Sequence, residues 1–228
     1  NKGVLQKGKT VGEYQLDKIT GAAIKIATEP DTSEVTDENN TTGGDADNTA
    51  TTVDKLHIFV GDSRTVGLRN TMGCVSYDKL LQIRTEENLT EYYLAEVGSG
   101  YSWYSTKALP KLVKMLNENP AATVILNHGI NDLGNIDQYI ASYQWLIRVY
   151  PNTKFVIMSV NPVNRKLYKG YAKPANITVF NQKMQAAFPN NFVNTYQYLQ
   201  SMGFNTADGL HYDSLTYMNL YNYMQPYL

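Results

Sequence analysis

The pattern of apolar and polar positions changes character near residue 55. From there on, short apolar runs alternate with segments of helical period. Leu56 to Val60, Tyr92 to Val97, Ala122 to Leu126 and Lys154 to Val160 are short and apolar on both faces, as strands buried inside a parallel sheet are. Asn191 to Asn194 predicts a short fifth strand. Between these runs, Lys107 to Asn117 carries Leu109, Leu112, Val113 and Leu116 on one helical face and is broken by Pro120. Ile136 to Tyr150 places Ile140, Tyr143, Leu146 and Ile147 on one face and stops at Pro151. Asn176 to Phe188 and the Tyr-rich segment Ser214 to Leu228 also read as helices, and Arg64 to Tyr77 is compatible with a short helix. Strands alternating with helices predict an α/β fold of three layers, α/β/α, around a mostly parallel sheet of about five strands.

The chain before residue 55 follows other patterns. Val11 to Ile26 alternates around Gly21 (Tyr14, Leu16, Ile24, Ile26), which fits a pair of short strands or an arm packed on the main body. Glu29 to Thr52 has almost no large apolar residue, and from Glu29 to Asp47 it holds acids but no Lys or Arg. Such a segment buries too little to offset the entropy of ordering and reads as a linker. A calcium loop built from Asp37, Asn39, Asp45 and Asp47 is the sharper alternative, but the glycine and closing Glu of an EF-hand are not in place. The expected organisation is an N-terminal arm and acidic Thr/Asp-rich linker over 1–54, then one domain over 55–228. Linkers of this kind fit an exported bacterial protein, extracellular or held at the cell surface through its N-terminal region.

Composition narrows the function classes. The 228 residues are 43% hydrophobic with a formal net charge of −1, which gives no general argument for nucleic acid as a partner. No apolar run has the length of a transmembrane segment. Cys74 is the only cysteine, so there is neither an internal disulfide nor a Cys-rich metal site. The chain begins at Asn1, so nothing follows about a signal peptide. Tyr is abundant, with 18 residues against 6 Phe, and its polar tip suits surfaces that meet sugars or peptides.

In an open parallel sheet, ligands bind beyond the carboxyl ends of the strands. Four polar sequences fall there: Gly61-Asp62-Ser63, Gly98-Ser99-Gly100, Gly129-Ile130-Asn131-Asp132 and Asn161-Pro162. Gly-Asp-Ser is either a turn with a helix cap or a nucleophile. A serine there has its hydroxyl at the sheet's end and its N–H near a helix N-terminus, where negative charge is favoured. Of the three histidines, His57 lies within the first strand and reads as structural. His128 lies near the rim, either lining the pocket or packing. His211, in Asp208-Gly209-Leu210-His211, has a carboxylate three residues upstream, able to accept from one ring nitrogen while the other faces out.

Gly61-Asp62-Ser63, Gly98, Gly129-Ile130-Asn131-Asp132 and Asp208-Gly209-Leu210-His211 resemble, in order, the four sequence blocks of the SGNH (GDSL-type) hydrolase superfamily, from about Lys55 onward. Arg64 stands where the family usually has Leu, and the Asn often found upstream of the second-block glycine is missing. The resemblance implies a flavodoxin-like sheet and a serine esterase without metal or cofactor. It assigns Ser63, His211 and Asp208 to a catalytic triad, and the N–H groups of Ser63 and Gly98 with the Asn131 amide to an oxyanion hole. Gly100 competes with Gly98 for that role, and Gly98 is preferred because it directly follows the expected strand. Asp132 is expected to brace its loop and Asp62 to form the turn. Arg64 is expected either to meet an acidic or polar substrate group or to pair with a carboxylate. Arg64, Gly100, Trp103, His128 and Asn161 are expected around the substrate.

The partner implied is a small ester or an acylated glycan, with acetyl on a cell-wall or other carbohydrate foremost. A lysophospholipase or thioesterase on the same scaffold, and a non-catalytic glycan-binding surface protein, are the competing readings.

Overall fold

The structure, a computed structural model, describes residues 55–228 and the short strands at residues 14–16 and 23–25. The chain divides into two units, Asn1–Thr52 and Val53–Leu228. In the first, β1 (Tyr14–Leu16) and β2 (Ala23–Lys25) pair antiparallel, Tyr14 opposite Lys25, the first of the two readings that the alternation around Gly21 leaves open. The predicted acidic linker and its calcium-loop alternative lie outside the described residues.

The second unit is built on a seven-stranded sheet. Five strands are parallel: β3 (Lys55–Gly61), β6 (Leu89–Ala95), β7 (Thr123–Asn127), β8 (Lys154–Met158) and β9 (Phe192–Val193). Their spatial order is β6-β3-β7-β8-β9, the 2-1-3-4-5 order of flavodoxin-like folds. The two further strands, β4 (Val75–Ser76) and β5 (Leu81–Glu86), extend the β6 edge antiparallel and are not foreseen in the sequence. The strand at β6 ends at Ala95, so Gly98 does not follow it directly: Glu96 and Val97 intervene.

Strand periodicity sorts the core into two faces. Phe59, Tyr93, Ile125, Val156 and Met158 pack with residues of α1 (Ser63–Thr71), α6 (Thr195–Met202) and α7 (Ser214–Met224), among them Leu68, Leu199, Tyr217, Leu220 and Met224. The alternate residues Ile58, Val60, Val124 and Leu126 are equally buried. They face the second helical layer, α3 (Leu109–Glu118), α4 (Ile136–Val149) and α5 (Pro174–Ala187). Leu109, Leu112, Val113 and Leu116 of α3 are all buried, the stripe that the helical spacing predicts. Each such side chain contributes roughly 1.5–3 kcal/mol.

The helical run at α3 begins earlier than predicted. The short α2 (Tyr101–Trp103) leads through a π-helical turn, Tyr104–Ala108, into Leu109. That irregular turn buries Tyr104, whose hydroxyl bonds Ser142 at 2.9 Å. A second polar knot lies under α7. Glu91 of β6 is fully buried, and its carboxylate accepts from Arg84 (2.8 Å), Tyr93 (2.9 Å) and Tyr221 of α7 (2.8 Å), with His57 Nδ1 at 3.5 Å. A buried carboxylate is tolerable only when so satisfied, and here the partners tie the hairpin edge and the last helix to the centre of the sheet.

Candidate active site

Strand β3 ends in a capped turn. Asp62 is the N-cap of α1, its carboxylate accepting from the Arg64 N–H at 3.0 Å. Burial raises the Asp62 carboxyl to about 6, against the lowering effects of that hydrogen bond and the Arg64 charge. The turn therefore puts Ser63 at the first position of a helix, where its N–H has no intrahelical acceptor.

Ser63 Oγ lies 2.9 Å from His211 Nε2, and His211 Nδ1 lies 2.6 Å from Asp208 Oδ2. The other Asp208 oxygen accepts the N–H groups of Leu210 and His211, each at 2.8 Å, and the Thr206 hydroxyl at 3.2 Å. Burial works against the Asp208 charge, but the bonds from the His211 ring and the two N–H groups outweigh it and hold the carboxyl below the usual carboxylate range. The carboxylate so fixed accepts a hydrogen bond from Nδ1–H, which keeps the proton on Nδ1 and leaves Nε2 as acceptor toward Ser63. The side chains of His211 and Asp208 are 41% and 53% exposed, so this constellation opens at the surface.

The loops that follow β6 and β7 leave the sheet at the same end as Ser63. Gly98 has φ +76°, and the space where a side chain would stand is open. Gly100 is different: it caps α2, and a Cβ there would stand 2.6 Å from Asp132 Oδ2. Asp132 braces this corner as expected. It accepts from the Tyr101 N–H (2.5 Å), Asn135 Nδ2 (2.9 Å) and Tyr139 Oη (3.0 Å). Asn131 Nδ2 donates to the Ser99 carbonyl at 2.9 Å, which orients the amide across the loop that carries Gly98.

The residues expected around the substrate separate into different roles. Trp103 stays at the rim, half-buried, its indole N–H on Glu96 at 2.7 Å. Gly100 is filled against Asp132 as described. Arg64 neither reaches toward a substrate nor pairs with a carboxylate. It is buried, and its guanidinium donates to three carbonyls: Asn161 (2.6 Å), Pro162 (2.9 Å) and Leu210 (3.2 Å), with the Tyr212 ring 5.1 Å beneath it. Asn161 is buried too, with its side-chain oxygen accepting from Thr195 at 2.7 Å. His128 is buried among Trp103, Tyr104 and Tyr139, with ring centroids 5.4–6.0 Å away. Its two ring nitrogens have no partner, and burial lowers its pKa to about 3, so it is a neutral packing group.

Glu96 and Thr65, the latter bonded to Asn127 at 3.0 Å, support the site without having been singled out in the sequence, because their partners are contiguous only after folding. Among the described residues no group of three or more His, Cys, Asp or Glu side chains is placed to hold a metal ion. No helix among them is long and apolar enough to cross a membrane.

No protein-family model matches the chain, and a search of curated proteins finds no match. Solved structures do resemble it. One from Streptococcus pneumonia, named for platelet activating factor, aligns over 78% of this chain and 86% of its own, at 22% identity and a TM-score of 0.59. The lipase/acylhydrolase from Enterococcus faecalis aligns over 73% and 91%, at 18% identity and 0.51. A variant of an acetyl-xylooligosaccharide esterase from Geobacillus stearothermophilus aligns over 77% and 94%, at 14% identity and 0.50. The fold of residues 55–228 is thus the three-layer α/β/α fold of the GDSL-type acylhydrolase structures.

Proposed function

We propose that this chain is a serine esterase that removes small acyl groups, acetyl foremost, from carbohydrate. The observation that carries the reading is the continuous hydrogen-bonded chain from Ser63 Oγ through the His211 ring to Asp208, on a fold shared with esterases and acylhydrolases. In the proposed reaction, His211 Nε2 takes the Ser63 hydroxyl proton as Oγ attacks the ester carbonyl. Asp208 stabilises the imidazolium that forms. The oxyanion is met by the N–H groups of Ser63 and Gly98 and by the remaining amide proton of Asn131, donors worth about 3–4 kcal/mol of barrier each.

His211 then passes its proton to the leaving alcohol. Water, deprotonated by the same nitrogen, releases the acid and restores Ser63. The exposed edge of His211 and Asp208 suits an ester carried on a bulky polymer, which is why glycan is preferred over a buried acyl chain. The same reading assigns the protein to the cell exterior, where such polymers occur.

The test is labelling with a fluorophosphonate probe, with Ser63→Ala as control, followed by p-nitrophenyl esters of increasing chain length and acetylated xylan. Labelling at Ser63, with activity greatest on acetyl, supports the proposal. No labelling refutes it, and preference for palmitoyl favours the lipase-type alternative.

A further inference from the structure

Between Asp137 and Asp208 the sequence contains no Asp or Glu, while Arg148, Lys154, Arg165, Lys166, Lys169, Lys173 and Lys183 all fall there. Four of these cations are concentrated in the loop from Asn161 to Lys173, between β8 and α5. That loop forms a wall of the site. At one end the Asn164 N–H donates to the Gly209 carbonyl at 2.8 Å and Tyr212 Oη to the Pro162 carbonyl at 2.6 Å. Gly209 has φ +82°, and a Cβ on it would meet the backbone of Tyr168 and Asn164 at 2.3 and 2.6 Å. At the other end Tyr171 Oη donates to the Ile130 carbonyl at 2.7 Å. The loop therefore spans from the His211 segment to the Asn131 segment.

It is also internally built. Asn164 turns the chain through its side chain onto the Lys166 N–H at 3.0 Å, and the Leu167 and Tyr168 N–H groups return to the Asn164 carbonyl. Arg165 lies over the Tyr168 ring at 5.6 Å while donating to the Gly170 carbonyl at 2.9 Å. Lys166, Lys169 and Lys173 are exposed, as is Tyr171. None of the four cations has a carboxylate partner among the described residues, whereas Arg84, Lys111 and Lys183 elsewhere in the domain all do. Of the carboxylates at the strand ends, Glu96 is taken by Trp103, Asp132 by Tyr101, Asn135 and Tyr139, and Asp208 by His211. Lys169 Nζ donates only to the Lys166 carbonyl, at 2.9 Å, and cations without a carboxylate partner on a fixed loop beside a reactive group concentrate substrates of opposite charge.

We infer that the loop Asn161–Lys173 binds an anionic group, carboxylate or phosphate, borne by the acylated glycan near the scissile ester. The inference rests on the esterase reading for the identity of the ester, but not for the binding of the polymer. Exposed Tyr171 beside the cations fits a sugar ring better than a lipid surface, which would call for a broader apolar face.

The experiment compares the parent protein with the triple variant Lys166→Glu, Lys169→Glu, Lys173→Glu. Binding to unacetylated polygalacturonate (carboxylate) and to poly(glycerol phosphate) (phosphate) is measured by calorimetry at low and moderate salt. The ratio of kcat/KM on acetylated polygalacturonate to that on acetylated xylan is measured in parallel. The parent is expected to bind at least one anionic polymer, more weakly as salt rises, and, where polygalacturonate is the one bound, to show a ratio well above one. The variant is expected to lose binding and to lower the ratio about 30-fold, mainly through KM.

Which polymer binds identifies carboxylate or phosphate as the group. Equal binding by parent and variant, insensitivity to salt, or an equal loss on both acetylated polymers overturns the inference. So does binding to phosphatidylglycerol vesicles without binding to either polymer. If the parent binds anionic polymer but hydrolyses no ester, the esterase reading falls and the loop's role stands.

Discussion

Replacing Arg64 tests how the site is held together. Its three donors satisfy carbonyls on two separate loops, Asn161-Pro162 after β8 and Leu210 immediately before His211. Arg64→Leu restores the residue usual at that position in the resembled family but leaves three buried or half-buried acceptors without a donor. Each unsatisfied acceptor costs about 1–3 kcal/mol. Local rearrangement and water entry recover part of this, so a net loss of roughly 3 kcal/mol in unfolding free energy is expected.

The loss is not confined to stability. Releasing Leu210 loosens the backbone that aims His211, and about 2 kcal/mol of lost positioning is a roughly 30-fold fall in kcat. Arg64→Lys keeps the charge but offers a single point of donation, which cannot bridge two loops, so it should fall between the parent and Leu. Urea unfolding gives the first quantity. The second comes from kcat and KM on p-nitrophenyl acetate, with the fluorophosphonate labelling rate, under conditions where each variant is folded. A folded Arg64→Leu protein with parental kcat, or a Lys variant no better than Leu, would refute the reasoning.

Other consequences are sharper in direction than in size. Asp208→Asn keeps the shape but offers the ring an amide, favouring the wrong tautomer; kcat should drop about 10³–10⁴-fold with KM little changed, measured on a short ester. Asp62 has a folded pKa of about 6 against an ordinary value of 3.8. Its neutral form is therefore favoured by folding, and stability from this group is full below about pH 4 and is lost as pH rises through 6. Asp62→Asn retains a cap acceptor and should be more stable than the parent at pH 8, with the gap closing toward pH 4 in paired urea titrations. Gly100→Ala drives a methyl onto Asp132 and should destabilise by about 1–3 kcal/mol. Gly98→Ala meets nothing and carries only the strain of its positive φ, about 1 kcal/mol; thermal melts of the two separate collision from strain.

The readable part of the molecule is the part written in apolar period and in short local motifs. Leu56–Val60 and Ala122–Leu126 are continuous apolar runs, and β3 and β7 coincide with them to within a residue at each end. Asp208 and His211 lie three residues apart and already suggest their mutual bond. The hairpin of β4 and β5 was illegible because Val75 and Tyr77 are exposed and Leu81 is its one fully buried residue, so its alternation is faint. Helix α6 is announced only by the Asn194 side chain capping Gln197. The start of α2 has no side-chain cap at all. Arg64, Asn161 and His128 defeated the sequence for a different reason. Their partners are main-chain carbonyls, a distant threonine and a nest of aromatic rings, and none of these leaves a mark at the neighbouring positions.

The Glu91 knot reaches the far end of the sheet through the last helix. It binds Tyr221 of the last helix to the sheet's centre, and that helix begins only three residues after His211. The imidazole therefore sits on the segment that this knot anchors. If the proposed reaction holds, loosening α7 from the sheet would slow labelling at Ser63, so a remote buried carboxylate would set the reactivity of the serine.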